Sequence, residues 1–78
     1  MSAARKLWMT DWPEITLLDP RDRHTSKAAT YRFVDRQAQA RRRGERASNR
    51  VDVYVDEQDG RGWQLYERVD LDTLGGAS

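Results

Sequence analysis

Arg50-Val51-Asp52-Val53-Tyr54-Val55-Asp56, then Glu57-Gln58-Asp59-Gly60-Arg61, then Gly62-Trp63-Gln64-Leu65-Tyr66-Glu67-Arg68-Val69-Asp70-Leu71 carries the strongest two-residue alternation in the chain. Val51, Val53 and Val55 alternate with Asp52, Tyr54 and Asp56, the period of a half-buried strand. Trp63, Leu65, Val69 and Leu71 alternate with Gln64, Tyr66, Arg68 and Asp70, and Glu67 interrupts the apolar side. Asp59-Gly60-Arg61-Gly62 between the two runs is rich in residues that tolerate positive φ. The pattern predicts a C-terminal β-hairpin. A two-residue loop at Asp59-Gly60 sets Val53 opposite Tyr66 and mismatches the faces. A three- or five-residue loop keeps the valines on the side of Trp63 and Leu65. One such register sets Tyr54 opposite Tyr66 and Asp52 opposite Arg68, pairs worth ~0.2–1 kcal/mol each.

Upstream of the hairpin, no Gly or Pro interrupts Lys27 to about Arg43, and Thr25 or Ser26 can cap the start. At 100° per residue, one half of this helix carries Ala29, Thr30, Tyr31, Phe33, Val34, Gln37, Ala38 and Ala40. The other carries Arg32, Asp35, Arg36, Gln39, Arg43 and, if the helix runs on, Arg46. Gly44 is placed to end it. Ser48-Asn49 reads as loop.

Further toward the N-terminus the signals weaken. Glu14-Ile15-Thr16-Leu17-Leu18-Asp19 reads as a strand, and Asp19 to His24 as a polar connection. Trp12-Pro13 is a break, because the residue before proline is pushed out of the helical region. Leu7, Trp8, Met9 and Trp12 fit no single period, and Leu7–Met9 is an optional extra strand. The expectation is a small single α+β domain of β-α-β-β order. One amphipathic helix lays Phe33, Val34 and Ala38 on the valine face of a short sheet. Residues 1–12 form an arm or short strand, 13–72 the domain and 73–78 a flexible tail.

At 78 residues the chain suffices for one domain with a thin core. Cysteine is absent, which rules out disulfides and thiolate metal sites. No apolar run approaches a membrane span and no secretory signal opens the sequence, so a cytoplasmic protein is expected. Charge is segregated: residues 1–20 are net −1, residues 21–50 net +7 and residues 51–78 net −5. Arginine outnumbers lysine twelve to two, a bias that a GC-rich genome produces without any function.

Catalytic chemistry finds no foothold in the pattern. His24 is the only histidine and sits in a polar turn, far short of the convergent ligands of a zinc site. Nucleophilic triads lack a base or thiol. Aligning Gly60 with the invariant glycine of a calcium loop puts Val55 first and Tyr66 last, where carboxylates are required. Gly60-Arg61-Gly62 lacks the third glycine and the helix of a dinucleotide site. No cofactor and no metal is expected, and the protein is read as a non-enzyme.

Two constellations remain. The aromatic one comprises Trp8, Trp12, Tyr54, Trp63 and Tyr66, residue types that anchor protein interfaces, with Trp8, Trp12, Tyr54 and Tyr66 the expected contacts. The basic one comprises Arg32, Arg36, Arg42, Arg43 and Arg46, which at helical spacing can track a phosphate backbone. The first expectation is therefore a small accessory module that binds or inhibits a larger protein. In general look it is similar to small accessory proteins of phages and mobile elements in GC-rich bacteria, a likeness that transfers no site residue. The alternative is nucleic-acid binding through the basic helix face, although a helix-turn-helix would need two more helices. A third is self-association, the basic helix of one copy on the acidic hairpin of the next.

Overall fold

A computed structural model describes residues 6–15, 19–46 and 48–73. Four strands and one helix follow in the order β1 (Leu7–Asp11), β2 (Asp22–His24), α1 (Lys27–Arg42), β3 (Arg50–Asp56) and β4 (Gln64–Asp70). The strands form one antiparallel sheet in the spatial order β2-β1-β3-β4. The α+β class, the single amphipathic helix and the C-terminal hairpin are those expected.

The helix begins where Ser26, in extended conformation, accepts a hydrogen bond from the Ala29 amide at 3.1 Å. That satisfies one of the donors a helix start leaves open. It ends in a paired C-terminal motif. The Gly44 amide donates to the Arg41 carbonyl at 3.0 Å and the Glu45 amide to the Ala40 carbonyl at 2.8 Å. This closure needs the left-handed φ of +79° that Gly44 adopts without a Cβ penalty. Thr30, Val34 and Ala38 are buried, while Arg32, Asp35, Arg36, Gln39 and Arg43 are exposed. The 100° reading therefore assigned both faces correctly.

Val34 and Ala38 meet Trp8, Trp12, Val51, Val53, Val55, Val69 and Leu71 in one core, with Ile15, Tyr31 and Phe33 at its margin. Each fully buried valine or leucine side chain contributes ~1.5–3 kcal/mol of transfer free energy. Arg41 ties the helix end to the close of β4 through two contacts to Asp72, at 2.9 and 3.4 Å, and Asn49 donates to the same carboxylate at 3.1 Å.

Three expectations change. The strand read over Glu14–Asp19 is not formed at Glu14, Ile15 or Asp19, and residues 16–18 lie outside the described residues. Instead Pro13, its φ preset for a turn, lets the Ile15 amide donate to the Trp12 carbonyl at 3.0 Å. The strand lies later, at Asp22–His24, in the segment read as a polar connection. Three residues at a sheet edge carry too little alternation to declare themselves. Leu7–Asp11 takes the strand option, and not at an edge: β1 lies between β2 and β3.

The hairpin register holds only halfway. Arg50, Val51, Asp52 and Val53 face Asp70, Val69, Arg68 and Glu67, so Asp52 does oppose Arg68. Beyond that point Tyr54 faces Leu65 and Val55 faces Gln64, which leaves Tyr66 as an extra, bulged residue. The connection between the strands, residues 57–63, is longer than the three or five residues expected. Gln58, Gly60 and Gly62 turn it with positive φ. The bulge reverses the alternation ahead of it, so Trp63 and Leu65 leave the valine side.

Candidate functional site

Register assigns each strand residue to a side of the sheet, because directly opposed residues share a face. Trp8, Thr10, His24, the three valines of β3, Glu67 and Val69 lie on the helix side. The other side carries Leu7, Met9, Asp11, Arg23, Arg50, Asp52, Tyr54, Asp56, Leu65, Arg68 and Asp70, and no described element packs over it. Arg23 stands over the Trp63 ring at 5.3 Å. Since β2 and β4 are the outer strands, this contact carries both side chains across the middle of that open face. Met9, which faces Arg23 on one flank and Tyr54 on the other, is buried although no described helix covers it.

Leu65 is 45% exposed, and Tyr54 and Trp63 are half-buried. Around them stand three arginines (Arg23, Arg50, Arg68) and four aspartates (Asp11, Asp52, Asp56, Asp70). Asp52 differs from the rest: it is 5% exposed, and its Oδ1 has no hydrogen-bond partner among the described residues. Burial raises its pKa; the charges of Arg68 and Arg50 oppose that shift and Asp11, its neighbour across β1, adds to it. Neither arginine closes an ion pair with it.

Of the aromatic residues singled out in the sequence, Trp8 and Trp12 are 5% and 3% exposed and belong to the core. As placed they are not surface anchors. Tyr54 lies on the open face. Tyr66, 46% exposed, is carried by the bulge to the helix side, where its ring meets Trp8 edge-on at 5.0 Å and lies under Lys27 Nζ at 5.2 Å. Tyr54 and Tyr66 therefore do not share a face.

Of the basic residues, Arg32, Arg36 and Arg42 are exposed, and no hydrogen bond or ion pair holds their guanidinium groups to the described residues. Arg43 is gripped twice by Glu45, at 3.1 Å each. Arg46 lies over the Trp12 ring at 4.8 Å and donates to Gln37 at 2.7 Å. None of Arg32, Arg36 and Arg43 pairs with Asp52, Asp56 or Glu67.

His24 joins neither group. Its Nε2 is 3.0 Å from Thr10 Oγ1 and its ring is tilted on Phe33 at 4.9 Å. Burial lowers its pKa, Asp22 opposes this and Arg36 reinforces it. Among the described residues no cluster of three or more His, Cys, Asp or Glu could hold a metal ion, and no helix is long and apolar enough to cross a membrane.

The open face was partly visible in sequence, since Asp52, Tyr54 and Asp56 alternate away from the valines. Leu65 and Arg23 carry no such signal, and Trp63, named among the aromatics, is expected on the valine side: the bulge moves Leu65 and Trp63 to the open face, and β2 has no strand pattern. Comparison with known proteins adds no family, since no family model, curated protein or solved structure matches the chain.

Proposed function

We propose that this chain is a non-enzymatic protein-binding module whose contact surface is the uncovered side of its sheet. The observation that carries this reading is an exposed Leu65 beside half-buried Tyr54 and Trp63, ringed by arginines and aspartates, on a face that no described element covers. Aromatic and arginine-rich centres with a polar rim are the composition of protein interfaces. Four aspartates on the same face oppose a phosphate backbone there. A module of this kind acts on a larger partner by occupying its surface, as an inhibitor does. Capture from native lysate with immobilised wild type and Leu65→Glu side by side tests it. A partner kept by the first and lost by the second is the expected outcome; equal retention on both refutes the reading.

Nucleic-acid binding is the second reading, and one observation favours it: Arg32 and Arg36 project four residues apart with their guanidinium groups unheld by described residues. Two or three phosphate contacts give weak binding with a shallow salt slope. Titration with duplex and single-stranded DNA and RNA at two salt concentrations, against Arg32→Glu, decides it. Binding that is salt-sensitive and lost in the variant supports the reading, and absence of low-salt binding removes it.

A further inference from the structure

We infer that the open face closes against the same face of a second copy of this chain, with the buried Asp52 carboxylate accepting a hydrogen bond from an arginine of the other copy. The inference rests on the reading of this face as the contact surface and names its occupant.

Asp52 supplies the first argument. A carboxylate oxygen removed from water and left without a donor costs the full desolvation of that group. Buried polar atoms in folded proteins are otherwise nearly always partnered. The unpaired Oδ1 lies in a side chain on the open side by its register with Arg68, so a donor can reach it from a body docked over β3. The groups suited to that task are on the face itself. Arg50 and Arg68 act on Asp52 only through space and are committed to no ion pair with a described residue.

Charge balance supplies the second. A two-fold contact sets one surface against itself, so it must carry donors and acceptors together. This face does, with three arginines against four aspartates. A partner surface of either sign alone would leave one set buried and unmatched. The exposed helix face is lopsided by comparison, with Arg32, Arg36 and Arg42 against Asp35 alone, so two copies of it repel. The sheet side is the more self-complementary of the two. Leu65, Tyr54 and Trp63 supply an apolar centre, and sheets stacked face to face sit ~10 Å apart, within reach of their side chains.

Sedimentation equilibrium of the full chain over a concentration series provides the test, with Leu65→Glu, Arg68→Glu and Arg32→Glu run in parallel. Leu65, Arg68 and Arg32 are exposed, and circular dichroism verifies that each variant folds; Leu65→Glu carries the test if Arg68→Glu, which sets a like charge opposite Asp52, does not. A monomer–dimer equilibrium is expected in the wild type. Leu65→Glu and Arg68→Glu each raise the dissociation constant ~10-fold or more, while Arg32→Glu leaves it unchanged or tightens it. A dimer weakened by Arg32→Glu but not by Leu65→Glu overturns the inference. So does a wild type that stays monomeric throughout. In that case, capture lost in Leu65→Glu leaves the face as a binding surface for another protein, and capture unaffected by it removes that reading too.

Discussion

The Tyr31 hydroxyl on α1 donates a hydrogen bond to the Glu67 carboxylate on β4, on the side of the sheet that also carries Val53, the residue facing Glu67 across the strands. The acidic interruption in the apolar alternation of β4 thus has a partner. Burial, then the hydrogen bond and charge of Glu67, raise the Tyr31 pKa above the ordinary phenol range. Tyr31→Phe is expected to cost about 1 kcal/mol in urea unfolding. Combined with Glu67→Ala it should cost less than the sum of the two single changes. Strict additivity would show that the contact contributes nothing.

His24 makes stability depend on pH. Its folded pKa lies below the ordinary 6.5, chiefly through burial. Above that value both folded and unfolded chains are neutral at this site and its contribution is whole. As pH falls below it, the unfolded chain takes up the proton first and stability drops, until the folded imidazole titrates as well. The sole histidine of the chain gives one imidazole signal in NMR, and its midpoint should fall below 6.5. His24→Gln should flatten the melting profile between neutral pH and the onset of carboxylate titration. A midpoint at or above the ordinary value contradicts the prediction.

Asp52 acts in the opposite sense to most carboxylates. Its folded pKa is raised above 3.8, so stability falls as pH rises through that raised value and the buried carboxylate must ionise. At neutral pH and dilute enough for a monomer, Asp52→Asn should be more stable than wild type by about 1 kcal/mol. The difference should shrink below pH 3.8, where both forms are neutral. A variant less stable at neutral pH would mean that the carboxylate already has its donor within the free chain.

Tyr66 is the residue that a seamless strand would lack. Removing one residue from an unbulged strand turns every following side chain to the wrong face. Here deletion of Tyr66 joins Glu67 to Leu65 in continuous register with Val53 and Tyr54. The deletion should therefore fold, losing the edge-on contact with Trp8, about 1 kcal/mol. Thermal melting and near-ultraviolet dichroism check this, and a chain that does not fold excludes the bulge.

Legibility in the sequence followed how many faces each element buries. The helix hides one, so its period assigned Thr30, Val34 and Ala38 inward and Arg32 and Arg36 outward. The strand β3 shows the same on Val51, Val53 and Val55. In contrast, β1 buries Trp8 under the helix and Met9 on the other side, within reach of the Arg23 and Trp63 contact that crosses that face, so its residues fit no single period. Short β2 turns only Asp22 and His24 to the helix side, and neither is apolar. Nor does a bulge have a residue signature strong enough to show at Tyr66, and that one residue decides which side Leu65 serves.

The central position of β1 has a consequence for how the chain is made. Leu7–Asp11 pairs on one flank with Asp22–His24 and on the other with Arg50–Asp56, across the whole helix. During synthesis the earliest strand must wait for the third before its second edge is closed, and for Val69 and Leu71 before the core is complete. Folding of this domain is therefore deferred until residues as far as Leu71 have left the ribosome, and a fragment stopping after α1 lacks the β3 and β4 valines that complete the cover of Trp8 and Val34.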